Sequence, residues 1–219
     1  MAEQAIASKR KPNNTGTKVL FQSKWVEGLT RTHIAAPLTV FGIISSVLIY
    51  IGFTRFALSA GQLVGLFFAG LLFFTLIEYV MHRFVFHIPA NTPKREKFAY
   101  AVHGVHHDYP KDKDRLAMPL ILSIPLSGVF FLVYYAIMDV YAFGFLPGFL
   151  IGYSSYLWVH YMVHAFRVPN NAFKILWVHH GIHHYKEPER AFGVSSPLWD
   201  VIFGTMPKTK GSSLKMKDI

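Results

Sequence analysis

The chain has 219 residues, of which 52% are hydrophobic and 16% aromatic, a composition too apolar for a water-soluble domain of that length. Cysteine is absent, which excludes disulfide frameworks, iron–sulfur clusters, thiolate-ligated haem and cysteine nucleophiles. A net charge of +10 would fit nucleic acid only if the basic residues gathered with stacking aromatics on one soluble face, and their distribution along the chain argues against that.

The first 33 residues are polar and lack the compact apolar core of a secretory signal. Residues 1–16 read as a tail, after which Phe21, Trp25 and Leu29 recur every four residues and predict an interfacial helix. Four apolar stretches follow, at 34–53, 57–81, 116–138 and 141–159, each long enough to cross about 30 Å of hydrocarbon at about 1.5 Å per residue. Glu78 is the ionisable residue inside them, and Pro37, Pro119, Pro125 and Pro147 read as tolerable kinks. These stretches are apolar all round, unlike the amphipathic helices of a soluble core.

Of the 22 lysines and arginines, six precede His33, seven lie in 82–115, eight follow Val159, and Arg55 alone falls between the first two spans. That bias matches the positive-inside rule for an even number of spans with both termini cytoplasmic, so the charge reports topology and no nucleic-acid partner is expected. The predicted fold is an all-α integral membrane protein: four transmembrane helices in two hairpins, with a cytoplasmic helical cap at 82–115 and 160–205. Its organisation is a tail at 1–33 and a membrane domain at 34–219.

Twelve histidines stand out. His82 and His87 follow the second span, His103, His106 and His107 lie in the first cap segment, His160 and His164 close the fourth span, and His180, His183 and His184 come just after it. By the parity of the spans, all ten emerge on one side of the membrane. Spacings of three and four residues put His103, His106 and His107 on one helical face, and likewise His180, His183 and His184, while His160 and His164 form a clamp. His82 and His87 break the pattern: five residues turn an α-helix by about 140°, so the helix is distorted there or the two reach an ion from different sides. Neutral imidazole suits zinc, copper, iron and nickel, and ten ligands exceed the needs of one ion, so a dimetal site is expected. A structural zinc site would need only four ligands, which makes a redox pair the better account of the surplus. His33 and His179 read as structural, with His179 a candidate support for a ligand or substrate.

The spacings HxxxxH, HxxHH, HxxxH and HxxHH, in that order, resemble the histidine boxes of the membrane fatty acid hydroxylase and sterol desaturase superfamily. HGVHHDYPKDKDRLAMP, from His103 to Pro119, and HHYKEPERAFGVSSPLWDVIFGT, from His183 to Thr205, look like the fatty acid 2-hydroxylases in particular. The resemblance implies two metal ions, iron in the working enzyme and sometimes zinc as isolated. It assigns His82, His87, His103, His107 and His183 to one ion, and His106, His160, His164, His180 and His184 to the other. It also implies an O₂-dependent hydroxylation of a lipid acyl chain, most naturally at carbon 2. Many relatives carry a cytochrome b5 domain ahead of the membrane part, which 33 residues cannot hold. Electrons are therefore expected from a separate cytochrome b5 or ferredoxin with its reductase. Glu78, one turn before His82, is the first expected carboxylate behind the ligands, followed by Asp108, Asp112 and Asp200. The rival readings are sterol or carotenoid oxidation in the same superfamily, and a metal transporter, whose ligands should instead lie near the bilayer midplane on broken helices.

Overall fold

The computed structural model describes residues 12–209, and the start of the predicted tail and residues 210–219 lie outside them. All regular structure among the described residues is helical: α1 (Lys24–Leu29), α2 (Ala35–Arg55), α3 (Ala60–Val80), α4 (Pro93–Ala99), α5 (Val105–Asp108), α6 (Leu120–Met138), α7 (Ala142–Ala165), α8 (Lys174–Tyr185) and α9 (Leu198–Ile202). Two π-helical stretches, Met81–Phe86 and Tyr100–Gly104, continue α3 and α4.

Three largely helical segments are apolar and long enough to cross a membrane: Ala35–Arg55, Ala60–Phe86 and Lys113–Ala165. The third, 53 residues long, doubles back on itself. Asp139, at φ 50°, breaks it, and the Phe131 ring then lies 5.2 Å from Phe143 while Phe130 lies 5.1 Å from Phe149. The second segment begins later than its hydropathy predicts. Ala57 adopts φ 52° and Ser59 opens α3 with a capping box, in which its hydroxyl accepts from the Gln62 N–H and its own N–H donates to the Gln62 side chain. Pro119 precedes α6 rather than kinking it, whereas Pro125 and Pro147 do lie inside helices. α7 runs on to Ala165 instead of stopping at Val159, so His160 and His164 occupy its last two turns.

α7 is the central post, with α2, α3 and α6 around it. Phe41, Phe74, Tyr134, Leu146 and Phe149 meet in the core these helices share. Its seam with α3 is closed by glycine. A Cβ on Gly148 would sit 1.8 Å from the Phe67 carbonyl oxygen, and one on Gly70 would sit 2.0 Å from that of Phe145, so the two backbones touch where any side chain would part them. Gly144 and Gly152, a turn either side of Gly148, face side chains instead: a Cβ there would sit 2.9 Å from Leu66 and 2.7 Å from Phe74 side-chain carbons.

Much of the predicted tail is docked. The Glu27 carboxylate accepts from the N–H groups of Leu20 and Phe21, at 2.9 and 3.1 Å, and pairs with Arg115. Arg115 also donates to Thr30 Oγ1 and to the Lys18 carbonyl. Further out, the Asn13 N–H donates to the Asp108 carbonyl at 2.7 Å and the Tyr185 hydroxyl to Asn14 Oδ1 at 2.9 Å. α1 spans only Lys24–Leu29, so Phe21 precedes it rather than sharing its face; Trp25 is 88% exposed, and Phe21 and Leu29 are exposed as well.

Candidate metal centre

Four parts of the chain deliver histidines to one end of the helices. At the end of α3 the helix switches from α to π geometry, and the His87 N–H donates to the His82 carbonyl at 3.2 Å, an i to i+5 bond. That bond resolves the awkward five-residue spacing: the helix is distorted there, and the two imidazole centroids come within 5.1 Å. The second π stretch carries His103 and leads into α5 with His106 and His107. α7 supplies His160 and His164, and the regular α8 supplies His180, His183 and His184.

The ten side chains fall into two groups. His82, His87, His103, His107 and His183 form one, and His106, His160, His164, His180 and His184 the other; within each group the nitrogens on offer lie within 4.8 Å of one another. Neighbours therefore separate: His106 and His107, which diverge by about 100° on a helix, serve different groups, as do His183 and His184. His103 thus shares a group with His107, four residues on, and leaves His106 to the other.

The chemistry of the groups fits a cation. Nε2 atoms approach each other at 3.1 Å (His82–His103), 3.1 Å (His87–His183), 3.0 Å (His103–His107), 2.9 Å (His106–His160) and 2.8 Å (His164–His180). His82 Nδ1 lies 2.6 Å from the Phe192 carbonyl and His183 Nδ1 2.7 Å from that of Arg190; a carbonyl only accepts, so each Nδ1 carries the proton and each Nε2 offers a bare lone pair. His184 is buried with neither nitrogen hydrogen-bonded among the described residues. Nitrogens crowded against nitrogens in a dry interior, those of His82 and His183 as bare lone pairs, make a donor set that suits a positive ion. Burial, together with the mutual repulsion of the charges they would carry, holds His87, His103, His106, His107, His180, His183 and His184 well below the ordinary imidazole value of 6.5. They stay neutral, which is the ligating form.

The carboxylates take other places than the spacing predicts. Glu78 does not reach an imidazole. It accepts from the N–H groups of Val194 and Ser195, at 2.7 and 2.9 Å, and from the Ser195 hydroxyl. Asp108 accepts from the Tyr100 hydroxyl at 3.0 Å. Asp112 turns towards the docked N-terminal arm, pairing with Thr17 and lying 3.5 Å from Arg115 Nε, because the loop after α5 leads away from the histidines. Asp200 is the fully buried hub: it accepts from His179 Nε2 at 2.9 Å, the N–H groups of Phe192 and Gly193 at 3.0 and 2.7 Å, and Thr205 Oγ1 at 2.6 Å. Burial alone would raise its pKa, but the hydrogen bonds from His179, Thr205 and Gly193 outweigh it and hold the carboxyl below the ordinary aspartate value. His179 thus points away from the ten. His33 is exposed at the start of α2, where its Nδ1 accepts from the Ala35 N–H.

Sequence reasoning missed the seam glycines, though Gly144, Gly148 and Gly152 recur every four residues inside an apolar span, a readable packing signal. It also missed Phe192 and Arg190, whose backbone carbonyls accept from His82 and His183 and leave no trace in residue type.

Comparison with known proteins gives a consistent result. The family model for fatty acid hydroxylase matches residues 67–205. Dihydroceramide fatty acyl 2-hydroxylase FAH2 of Arabidopsis thaliana is 34% identical over 200 residues, covering 89% of this chain and 82% of that protein. Ceramide very long chain fatty acid hydroxylase SCS7 of Saccharomyces cerevisiae is 38% identical over 156 residues, covering 69% of this chain and 40% of the longer yeast protein. A solved structure of full-length scs7p, with only its hydroxylase domain visible, superposes with a TM-score of 0.78 at 30% identity, covering 84% of this chain and 70% of the other.

Proposed function

We infer the reaction from one premise: the chain belongs to the fatty acid hydroxylase family. It is a membrane protein and a hydroxylating oxidoreductase, and its reaction is the 2-hydroxylation of a lipid acyl chain. The observation that carries this reading is the pair of five-histidine groups, able to hold metal, in a chain so related. The names of the relatives, a dihydroceramide acyl hydroxylase and a ceramide hydroxylase, support a substrate acyl group in amide linkage, with the free fatty acid as the other form. Sterol and carotenoid oxidation lose ground to these names. Metal transport loses ground to ligands that cluster at helix ends.

His82, His87, His103, His107 and His183 would hold one ion, and His106, His160, His164, His180 and His184 the other. Iron is the metal we assign to both, with zinc able to occupy the same nitrogens in isolated protein. When bound, an iron pair supplies the O₂-dependent, two-electron oxidation of an unactivated C–H bond that side chains alone cannot perform. The chain's own contribution is placement. Burial keeps the imidazoles neutral, the Phe192 and Arg190 carbonyls fix which nitrogen of His82 and His183 faces inward, and Glu78 and Asp200 hold the loop that bears those carbonyls. Asp108 supports the site through Tyr100, and Asp112 through the N-terminal arm.

We read Lys113–Ala165 as two crossings, which makes four in all with a cap at 82–115 and 160–205. Twenty-one of the 22 lysines and arginines then lie on the cap side, which supports a cytoplasmic orientation for the cap and both termini. A centre where the helices leave the bilayer is met first by the polar end of a rising acyl chain, which favours carbon 2 over the methyl end. The basic cap also suits an acidic electron donor, a cytochrome b5 or ferredoxin with its reductase, docking in a salt-sensitive way.

Mass spectrometry of lipids from cells expressing the full chain or its His107→Ala variant tests the reading. Expression should produce 2-hydroxylated acyl groups that the variant does not. Reconstituted protein given lipid and O₂ should turn over only when a reductant and donor are added. Product hydroxylated near the methyl end, or undiminished product from His107→Ala, would overturn it.

A further inference from the structure

The two histidine groups have the same residue types but not the same support. In the first, Nδ1 of His82 donates to the Phe192 carbonyl at 2.6 Å and Nδ1 of His183 to the Arg190 carbonyl at 2.7 Å. In the second, the one Nδ1 contact found among the described residues is the long 3.4 Å approach of His160 to the Leu116 carbonyl. Nδ1 of His106, His180 and His184 is buried there without a hydrogen-bond partner among the described residues. Two rings of the first group, His82 and His183, are therefore fixed in tautomer and orientation by backbone carbonyls, whereas no ring of the second group has a short contact of that kind among the described residues.

What aims the two carbonyls is a loop gripped from both sides. Four consecutive N–H groups are taken by two buried carboxylates: those of Phe192 and Gly193 by Asp200, and those of Val194 and Ser195 by Glu78. Gly193 is needed for this, since a Cβ there would sit 2.1 Å from the Ser196 carbonyl oxygen. Ala191, fully buried, turns the chain at φ 58°, and its N–H is held by the Thr205 carbonyl at 3.0 Å. With both flanks pinned, the Arg190 and Phe192 carbonyls have little freedom to leave His183 and His82.

We propose that the two groups hold their ions unequally, the first more tightly, and that Asp200 is the positioning residue responsible, acting through the 190–195 loop on His82 and His183. This rests on the dinuclear reading above. Partners that orient a ligand from behind are typically worth about 10–100-fold in metal affinity, so the difference should be measurable as a rate of release.

The test is chelator-driven loss of zinc from the zinc-loaded full chain in detergent, followed by elemental analysis of desalted aliquots. The native chain should lose its two ions in separate phases of one ion each. His184→Ala should keep the slow phase and His183→Ala the fast one, which assigns the slow ion to the first group. Asp200→Asn should accelerate the slow phase by about 10–100-fold and leave the fast phase unchanged, a selectivity that general loosening of the fold would not produce. Should that variant fail to fold, Thr205→Val, which removes one of the four donors to the carboxylate, must accelerate the slow phase by a smaller factor. A slow phase unmoved by Thr205→Val, two ions leaving the native chain at one rate, or both phases quickening together in Asp200→Asn would overturn the inference. A native chain holding fewer than two zinc ions would overturn the dinuclear reading and this inference with it.

Discussion

The seam between α3 and α7 and the loop from Arg190 to Ser195 both aim histidines, and they do so by opposite means. In the seam, Gly70 and Gly148 let two backbones touch, with no charged group among the atoms they meet and the positions of His82 and His160 set by the approach of their helices. In the loop, two carboxylates take backbone N–H groups that would otherwise be buried and unsatisfied. The contrast follows from the surroundings. Between apolar spans no water competes and no hydrophobic gain separates helix from lipid, so close packing of small residues decides. Where the chain leaves helical geometry its N–H groups need partners, and a buried carboxylate serves two at once. One device is steric and acts on both metal groups together; the other is electrostatic and acts on one.

Variants of the two regions should separate these mechanisms, and the largest effect is expected in the seam. Gly148→Val puts branched carbon where Phe67's carbonyl already lies 1.8 Å from an ideal Cβ, so α3 and α7 must part. Overpacking of this kind costs about 1–3 kcal/mol or more, and because each helix carries ligands for a different group, both ions should be lost along with thermal stability in detergent. If Gly148→Val retains two ions and native stability, the seam does not position the site.

Glu78→Gln should do less. The amide keeps one acceptor oxygen for the Val194 and Ser195 N–H groups but offers an NH₂ where the carboxylate accepted the Ser195 hydroxyl, at about 1–3 kcal/mol. The fold and the second group's ion should survive while the first group's ion is released faster. Equal loss of both ions would erase the distinction between the two devices.

The smallest effect is a pH dependence. Asp200 has its carboxyl pKa held below the ordinary 3.8, so its contribution is fully present above that value and is lost as the pH falls through its folded value. The destabilisation of Asp200→Asn relative to the native chain should therefore be constant from pH 7 to about 5 and shrink below about 4. No titratable group lies among the atoms that Gly148 meets, so the Gly148→Val penalty should not shrink in step. Thermal unfolding of both variants across this range, referenced to the native chain at each pH, makes the comparison, and parallel curves would count against it.

How far these features are legible in the sequence depends on their range. The apolar segments and the ten histidines are local patterns, readable because lipid demands long uninterrupted apolar runs and metal demands particular ligands. Glu78 is legible as a costly charge that must be paired, yet its partners Val194 and Ser195 lie over a hundred residues away and are two backbone N–H groups, which no residue type announces, and one hydroxyl. Asp112 misleads for the same reason. Its nearness in sequence to His107 says nothing of the turn that carries it to Thr17 and Arg115. The docking of the N-terminal arm hangs on Glu27 and Arg115, an acid and a base indistinguishable in sequence from surface charges.

The π turn at the end of α3 has a further meaning. A ring closed from residue i to residue i+5 holds one residue more than an α-helical turn, so residues 81–87 behave as a helix carrying a single-residue insertion. The pairing of His82 with His87 is then a property of chain length as much as of composition. Adding one more residue between them, with every histidine retained, would demand a second wide turn or swing everything downstream by about 100°. A site can in this way be gained or abolished by an insertion or deletion that touches none of its ligands, and an ungapped alignment scoring only ligand identity would not see it happen.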